Sequence, residues 1–283
     1  MSICKAGTVT ITLTDLFGYP VKSLRGERLD RSPVGARGLD GDRRWMIVDE
    51  NGRFITRRET PGMALFAVRS DDDGLMIDHP DHGQHRVTRP AARAPAIEAR
   101  VWGDTVCVRL GDAAIATYLS RAFGRPVRLV YQGEEGVRPI DPAFSAPGDH
   151  VSLSDGYPLL ITTHASLAAL NAELTVTVPI ARFRPNIVVG GTEAWGEDHW
   201  RRIRIGDVTF RIAKPSSRCI VTTQQPETGE RLEGNEPLAT LRRIGRIAKG
   251  GVMFGQNAIP ENVGTISVGD TVDILEAGDS NLR

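Results

Sequence analysis

The chain has 283 residues, of which 40% are hydrophobic and 25% charged, so it can bury a full core as one large or two moderate domains. Its formal net charge of +0 at pH 7 provides no overall positive field, which argues against nucleic acid as a partner. Residues 1–13 lack the apolar core of a signal peptide, and no run approaches the ~20 apolar residues of a membrane span, so we expect no membrane association.

Short strands separated by turns are the main pattern along the chain. Residues 8–13 alternate threonines with apolar side chains, as in a half-buried strand, and Tyr19-Pro20 would end it. Residues 43–48 form an apolar strand pattern, and Asn51-Gly52 after them is typical of a hairpin turn. Further strands are predicted within residues 64–77, 97–110, 128–131, 150–153, 159–162, 251–256 and 264–275. Together these patterns indicate a mainly β, barrel-like architecture.

Three segments have helical patterns. Residues 112–123 place apolar side chains at helical spacing, with Asp112 as N-cap and Gly124 as the stop. Residues 166–174 begin at Ser166, a good N-cap, and residues 237–244 begin with a proline. The sequence therefore predicts a few short helices among many strands.

Three histidines, His79, His82 and His85, raise the question of a zinc site. Pro80 and Gly83 interrupt the regular helical face that this spacing would need, and no cysteine is near. A solvated loop is the preferred interpretation.

The cysteines Cys4, Cys107 and Cys219 are odd in number and far apart, which is not the pattern of a disulfide framework or a CxxC site. We expect a reducing, cytoplasmic location. Cys107 is expected to alternate into the apolar side of its strand as a core residue.

Cys219 has a different setting. Pro215, Ser216 and Ser217 are expected to end a strand at Ile212, which places Cys219 at a loop-to-strand junction, where functional groups tend to be presented. The guanidinium of the adjacent Arg218 favours the thiolate, the form that binds soft metals. The alternative is a small buried hydrophobic residue.

Upstream of this cysteine, Arg182, Arg184 and Asn186 alternate along what reads as an extended chain. They would lie on one face, with Phe183 on the other. That face is a candidate binding surface, since Asn186 offers both donors and an acceptor. Ordinary surface charge is the alternative.

Several blocks occur in a characteristic order along the chain: YPVKS, GDRRWMIVD, FRPNIVV, IGDV, SRCIVTT, PETG, FGQ and ENVGTISVGD. In this order and spacing they resemble the MOSC family, the domain shared by molybdenum cofactor sulfurases and the mitochondrial amidoxime reducing component and its bacterial relatives. The resemblance covers nearly the whole chain. It implies a MOSC β-barrel-like domain at residues 126–283 with an attached β-rich amino-terminal MOSC domain at residues 1–125.

The resemblance also implies a site for a molybdenum–molybdopterin cofactor. Cys219 would be the catalytic residue and a permanent sulfur ligand to molybdenum, which suits a soft thiolate. Lys22, Ser23 and Arg43 would bind the phosphate of the pterin, with Arg44 as an alternative to Arg43. The other residues that the resemblance places on the cofactor are Ser154, Asp155, Gly156, Arg184, Asn186, Ser217 and Arg218. For Asp155, a plain turn residue is the alternative.

The reaction implied by the resemblance is the two-electron reduction of small N-hydroxylated compounds, such as amidoximes, hydroxamates and hydroxylamines. Because three scattered cysteines cannot hold a Cys₄ cluster, the electrons are expected from a separate protein, either ferredoxin-like or a cytochrome or flavoprotein reductase. We expect neither the membrane anchor of the mitochondrial relatives nor the fused ferredoxin domain of some bacterial ones. The alternative function is a carrier of the cofactor, or of sulfur as a persulfide on Cys219.

Overall fold

Strands dominate the secondary structure, which the computed structural model describes for residues 10–249 and 251–282. In the first half of the chain, the strands are β1 Thr12–Gly18, β2 Glu27–Leu29, β3 Arg31–Gly35, β4 Gly38–Leu39, β5 Trp45–Val48, β6 Ala67–Asp71, β7 Gly74–His79, β8 Gly83–Thr88, β9 Ala96–Val101, β10 Asp104–Leu110 and β11 Arg128–Tyr131, and the helix is α1 Ala113–Phe123. In the second half, the elements are β12 Leu159–Thr163, α2 His164–Ala172, β13 Ile187–Gly190, β14 Trp200–Ile205, β15 Val208–Arg218, α3 Leu238–Arg243, β16 Ile247–Ala248, β17 Gly251–Pro260, β18 Gly264–Ser267 and β19 Val272–Ala277. The predicted mainly β class with a few short helices is confirmed.

The largest sheet has the strand order β19-β14-β15-β17-β12-β13-β1-β2, with β16 added beside β17. Its apolar side chains form one core, in which Leu13 and Leu16 of β1 pack with Ile161, Ile187 and Phe210 from later strands. Burial of this face is the main stabilising contribution of the sheet. The sheet therefore joins strands from both ends of the chain.

Three smaller sheets have the orders β5-β11-β10-β9, β18-β3-β4 and β6-β7-β8. The pairing of β18 with β3 again joins residues that are far apart in sequence. A second core, centred on Val21, Ile47 and Met63, packs beneath α1 through Ile115 and Leu119. These contacts hold the segments after β1 and β5 in place, and both segments contribute to the site described below.

The three predicted helices are confirmed, with small shifts of their ends. The carboxylate of Asp112 accepts a hydrogen bond from the backbone N–H of Ile115 at 2.8 Å, and Gly124 ends α1 in the left-handed region at φ 63°. The helix α2 begins two residues before Ser166, because Thr163 is the capping residue.

The strand β15 continues through Pro215–Ser217, so the prediction that these residues end a strand at Ile212 is wrong. Beyond Arg211, β15 pairs with β17 but not with β14, and its register shifts between Ile212 and Lys214 and again between Pro215 and Ser217. A proline is tolerated where one side of a strand is free and the ladder is irregular. The chain after Cys219 is a 3₁₀ turn, Ile220–Thr223, rather than a strand.

Two further predictions fail in the strands β7, β8 and β10. Cys107 is exposed, because Val106 and Val108 are the residues of β10 that point into the core, so its prediction as a core residue is wrong. His79 ends β7 and His85 lies in β8, so the predicted solvated loop is instead a hairpin.

The predicted strand over residues 8–13 is displaced. The strand begins at Thr12 and runs to Gly18; Thr8 and Val9 lie outside the described residues. Residues 150–153 form no strand, although Val151 and Leu153 are buried. In the part of the chain that the structure describes, no helix has the length and apolar character needed to span a membrane.

Candidate functional site

A cavity of about 170 Å³ lies where segments from both halves of the chain meet. All eleven residues that the sequence singled out as cofactor-binding contribute to its lining. They are Lys22, Ser23, Arg43, Ser154, Asp155, Gly156, Arg184, Asn186, Ser217, Arg218 and Cys219. The structure thus brings them together, while the role of each stays a prediction.

Three of these residues have a left-handed backbone. Ser23, Arg43 and Arg184 have φ values of 70°, 47° and 53°. Such a conformation costs a non-glycine residue about 1–3 kcal/mol and persists only where surrounding contacts hold it. For Arg43 and Arg184, backbone N–H bonds to Tyr19 O (2.8 Å) and Ala181 O (3.1 Å) supply such contacts. The side chains of these residues are therefore directed into the cavity at an energetic cost.

The guanidinium groups of Arg43 and Arg184 both lie against Tyr19, with each Cζ 4.2 or 4.3 Å from the ring centroid. Burial raises the pKa of Tyr19 to about 12, with Arg184 and Arg43 opposing the shift. Burial also lowers the pKa of Arg184 to about 10, so this guanidinium remains charged at neutral pH. The aromatic ring thus supports two cations beside each other.

Asn186 orients Arg43. Its Oδ1 accepts from Arg43 Nη1 at 3.0 Å and from Leu160 N, and its Nδ2 donates to Phe17 O and to Asp42 Oδ1. The carboxylate of Asp42 is also 2.5 Å from Arg43 Nη1, although burial raises the pKa of Asp42 against this attraction. The amide of Asn186 is thus engaged within the protein rather than free for a ligand.

Arg182 does not share the face of Arg184, so that prediction is wrong. The segment Ile180–Phe183 is a 3₁₀ turn, and Arg184 caps it in the left-handed region. Arg182 is buried and forms an ion pair of 2.6 Å with Glu233. Alternation along an extended chain does not apply to such a turn.

Lys22 and Asp155 form an ion pair of 2.6 Å at one wall of the cavity. The lysine side chain is 6% exposed and the aspartate side chain 63%. Burial lowers the pKa of Lys22, and Asp155 opposes this shift. Partial desolvation by the surrounding cavity walls would raise the pKa of Asp155, but Lys22 and then Arg58 outweigh it and hold the pKa below its usual range. Asp155 is therefore a carboxylate at neutral pH.

The turn that contains Asp155 is fixed by Arg138, which donates to the backbone carbonyls of Ser154 and Asp155. Ser154 Oγ donates to Tyr157 O at 2.7 Å. This turn is therefore a rigid part of the cavity wall.

Cys219 is half-buried at the end of β15 and lines the cavity, so it is not the aliphatic core residue of the alternative interpretation. The guanidinium that contacts its sulfur belongs to Arg58, with Nη2 3.3 Å from Sγ. The neighbouring Arg218 instead donates to Ser216 Oγ and Phe183 O. The sulfur thus has a cationic partner, but one contributed by the first half of the chain.

Sequence reasoning missed Arg57 and Arg58. They follow β5 and its turn, and only a contact across 161 residues brings Arg58 to Cys219. Burial, together with Arg184 and Arg25, lowers the pKa of Arg57 to about 9. The sequence does show two consecutive arginines after the Asn51-Gly52 turn, but it does not show that one of them contacts Cys219.

The donor set fits an anionic ligand that bears a soft metal. Among the described residues that line the cavity, six are cationic and one is a carboxylate: Lys22, Arg43, Arg57, Arg58, Arg184 and Arg218 against Asp155. Burial lowers the pKa of four of these cations, so a bound anion would offset their desolvation. Arg218 Nε is buried with no hydrogen-bond partner among the described residues. The cysteine sulfur of Cys219 beside these cations suits a soft metal.

Comparison with known proteins agrees with this geometry. Residues 10–126 match the MOSC N-terminal beta barrel domain, and residues 148–273 match the MOSC domain. Mitochondrial amidoxime-reducing component 1 of Homo sapiens is 34% identical over 281 residues, which cover 93% of this chain and 83% of that protein. Mitochondrial amidoxime reducing component 2 of Bos taurus is 32% identical over 277 residues, covering 92% and 82%.

Among solved structures, the YuaD protein of Bacillus subtilis aligns over 93% of this chain and 94% of its own, at 10% identity and a TM-score of 0.41, a similarity too weak to inform the site. The two domain matches and the identity to curated relatives confirm the resemblance seen in the sequence. The chain belongs to the MOSC family and contains both the MOSC domain and its N-terminal β-barrel domain.

Proposed function

We propose that this protein is a molybdenum-cofactor-dependent enzyme that reduces N-hydroxylated compounds such as amidoximes, hydroxamates and hydroxylamines. Membership of the MOSC family and relatives named amidoxime-reducing components support this activity in general. The observation that carries the proposal is the position of Cys219, a half-buried sulfur in a cavity lined by six cations.

The residues of the cavity divide by chemistry. Lys22, Ser23, Arg43 and Arg184 would bind the phosphate of the cofactor, because charged hydrogen bonds to a dianion are the strongest available here. Ser154, Asp155 and Gly156 would lie along the pterin, with Ser217 and Arg218 near the sulfur that binds the metal, Cys219 Sγ. When bound, the cofactor supplies the two-electron chemistry that removes oxygen from the substrate.

Asp155 has a separate part in this proposal. Its carboxylate is ionised at neutral pH. The guanidinium of Arg58 bridges this carboxylate and the sulfur of Cys219, because its Nη2 is 3.4 Å from Asp155 Oδ2 and 3.3 Å from Sγ. An ionised carboxylate accepts hydrogen bonds and cannot donate one. Asp155 would therefore orient the N–H or O–H of a substrate rather than protonate it.

The electrons would come from a separate protein, either ferredoxin-like or a cytochrome or flavoprotein reductase, and we propose a cytoplasmic location. The odd, widely spaced cysteines support both parts of the proposal.

The first prediction tests the sulfur. Cys219→Ala should retain the fold, since the half-buried side chain is small, but should lose amidoxime turnover by at least about 100-fold, as expected when a metal ligand is removed. Turnover is measured with a reduced dye as artificial donor, beside molybdenum content and circular dichroism. Cys107→Ala, which removes an exposed thiol, is the control. Activity that survived in Cys219→Ala would contradict the proposal.

The carrier alternative, which the accessibility of Cys219 favours, is addressed by the same measurements together with an assay of sulfur bound to the protein. Sulfur bound to Cys219 without molybdenum would support a carrier. Stoichiometric molybdenum with amidoxime turnover would support the reductase.

A further inference from the structure

Trp102 lies at the turn between β9 and β10, next to the cavity. Its backbone is left-handed, at φ 57°, and the residue is 47% exposed. This conformation is rare for a bulky residue, and such strain is concentrated at functional sites. An exposed indole in a strained conformation beside the cavity is therefore a candidate for contact with a ligand.

Three contacts fix the orientation of the indole. Its Nε1 donates to Asp155 Oδ1 at 3.3 Å, and Phe54 packs against it in a T-shaped arrangement with 4.9 Å between ring centroids. The guanidinium of Arg58 lies 4.5 Å from the ring centroid. Trp102 is therefore a rigid surface, because both its polar atom and part of its π-system are engaged.

The indole is close to the sulfur along a continuous chain of contacts. Arg58 touches Trp102 and also Cys219 Sγ, and Asp155 touches both Trp102 and Arg58. A molecule whose polar end reaches Asp155 and Arg58 would thus extend toward the exposed surface of the indole. A flat, conjugated group gains most from that surface, since aromatic stacking adds to the burial of apolar area.

We propose that Trp102 contacts the substrate and selects N-hydroxylated compounds whose reacting group is joined to a flat aromatic body. This inference rests on the proposed reductase function. The N–H or O–H groups of the substrate donate to Asp155, and the aromatic body stacks on the indole. A small substrate without such a body gains nothing from Trp102.

The experiment compares benzamidoxime with hydroxylamine as substrates of the molybdenum-loaded enzyme, using a reduced dye as donor. Trp102→Ala should raise the KM for benzamidoxime about tenfold, the loss expected when a stacking partner is removed. The KM for hydroxylamine should stay within about twofold, because only the aromatic body is affected. Trp102→Phe retains an aromatic ring, so its KM for benzamidoxime should rise only about threefold. Leu275→Ala, which removes an apolar side chain of similar exposure on β19, is the control.

A second measurement does not depend on turnover. Calorimetry without electron donor gives the Kd of benzamidoxime for the wild type and the variants, and metal analysis gives their molybdenum content. We expect the Kd to rise in parallel with the KM while the molybdenum content stays unchanged.

Two results would overturn the inference: an equal Kd for benzamidoxime in the wild type and Trp102→Ala, or an equal loss of activity on both substrates, as a general disturbance of the cavity would produce. A loaded wild type that turned over neither substrate would instead contradict the proposed function, and the Kd comparison would still decide the part of Trp102.

Discussion

At the scale of single residues, Arg184 has both a strained backbone and a cationic side chain that lines the cavity. Its φ of 53° is unfavourable for a non-glycine residue, and its guanidinium donates to Leu24 O while lying against Tyr19. The contacts of its side chain help to offset this strain. Arg184 is therefore an informative position for testing how the proposed cofactor would be held.

Arg184→Ala should lower molybdenum content, because the loss of one charged hydrogen bond to an anion costs roughly 1.5–3 kcal/mol of binding free energy. Arg184→Gly should lower it equally but be more stable to urea than Arg184→Ala, since glycine adopts this φ without strain. Arg243→Ala, an exposed arginine paired with Glu173, is the control. Unchanged metal content in both Arg184 variants would refute a role for Arg184 in holding the cofactor.

Glu197 gives a pH-dependent prediction. It is fully buried, its Oε2 accepts from Thr163 and Ser166, and burial raises its pKa above the ordinary 4.5. Between the ordinary and the raised pKa, the folded protein keeps a proton that the unfolded chain has lost. The stability of the wild type relative to Glu197→Gln should therefore increase as the pH falls from neutrality toward 4.5.

The measurement is urea unfolding of both proteins across this pH range, with Glu50→Gln, at an exposed position, as control. A stability difference that grew with rising pH would have the opposite sign and would show that Glu197 is stabilised as a carboxylate.

The sequence predicted which residues line the cavity where they belong to a recognisable motif. It did not predict which residues contact each other. The sequence pointed to Lys22 and Cys219 through blocks that resemble a family, and both line the cavity. It missed Arg58 and Trp102, because their importance depends on contacts across 161 and 53 residues. Burial and contact across such separations arise from strand pairing, which no local pattern specifies.

At the scale of elements, α1 is the segment whose ends the sequence predicted best, because capping is local chemistry. Asp112→Ala should lower the free energy of unfolding by about 0.5–2 kcal/mol, since the N–H of Ile115 loses its acceptor. Asp112→Asn should stay close to the wild type, because its amide oxygen still accepts. Chemical denaturation of the three proteins makes the comparison. An equal loss in both variants would indicate that the charge, rather than the cap, is what stabilises α1.

Strand ends were harder to predict than helix ends. Pro215 looks like a strand terminator by sequence, but β15 passes through it because β14 has ended and β17 alone pairs there. Arg182 and Arg184 look like neighbours on one face, but a 3₁₀ turn and a left-handed residue separate them. In the first case the pairing with a distant strand decides the structure, and in the second an irregular turn does. The local sequence pattern specifies neither.

At the scale of the whole molecule, the halves at residues 1–125 and 126–283 are joined by β-pairing. β1 pairs with β13, β3 with β18 and β5 with β11. Whether residues 125 and 126 mark a domain boundary stays a prediction, but these ladders indicate that the halves depend on each other.

Expressed alone, neither half should unfold cooperatively in urea, because the carboxyl-terminal half would expose the edge of β13 and lose Leu13 and Leu16 from its core. Co-expressed, the halves should assemble and copurify through a tag on either one. A cooperative transition with molybdenum bound in the isolated carboxyl-terminal half would contradict this dependence.

The division of the cavity between Lys22 and Arg43 on one side and Arg184 and Cys219 on the other also constrains biosynthesis. On a ribosome that adds about 5–20 residues per second, Lys22 and Arg43 emerge roughly ten seconds or more before the sulfur of Cys219. A nascent chain therefore has no complete cavity until most of the chain has been translated. If the proposed cofactor binds there, it would be loaded late in synthesis or after it, and truncated chains that lack Cys219 would not hold it.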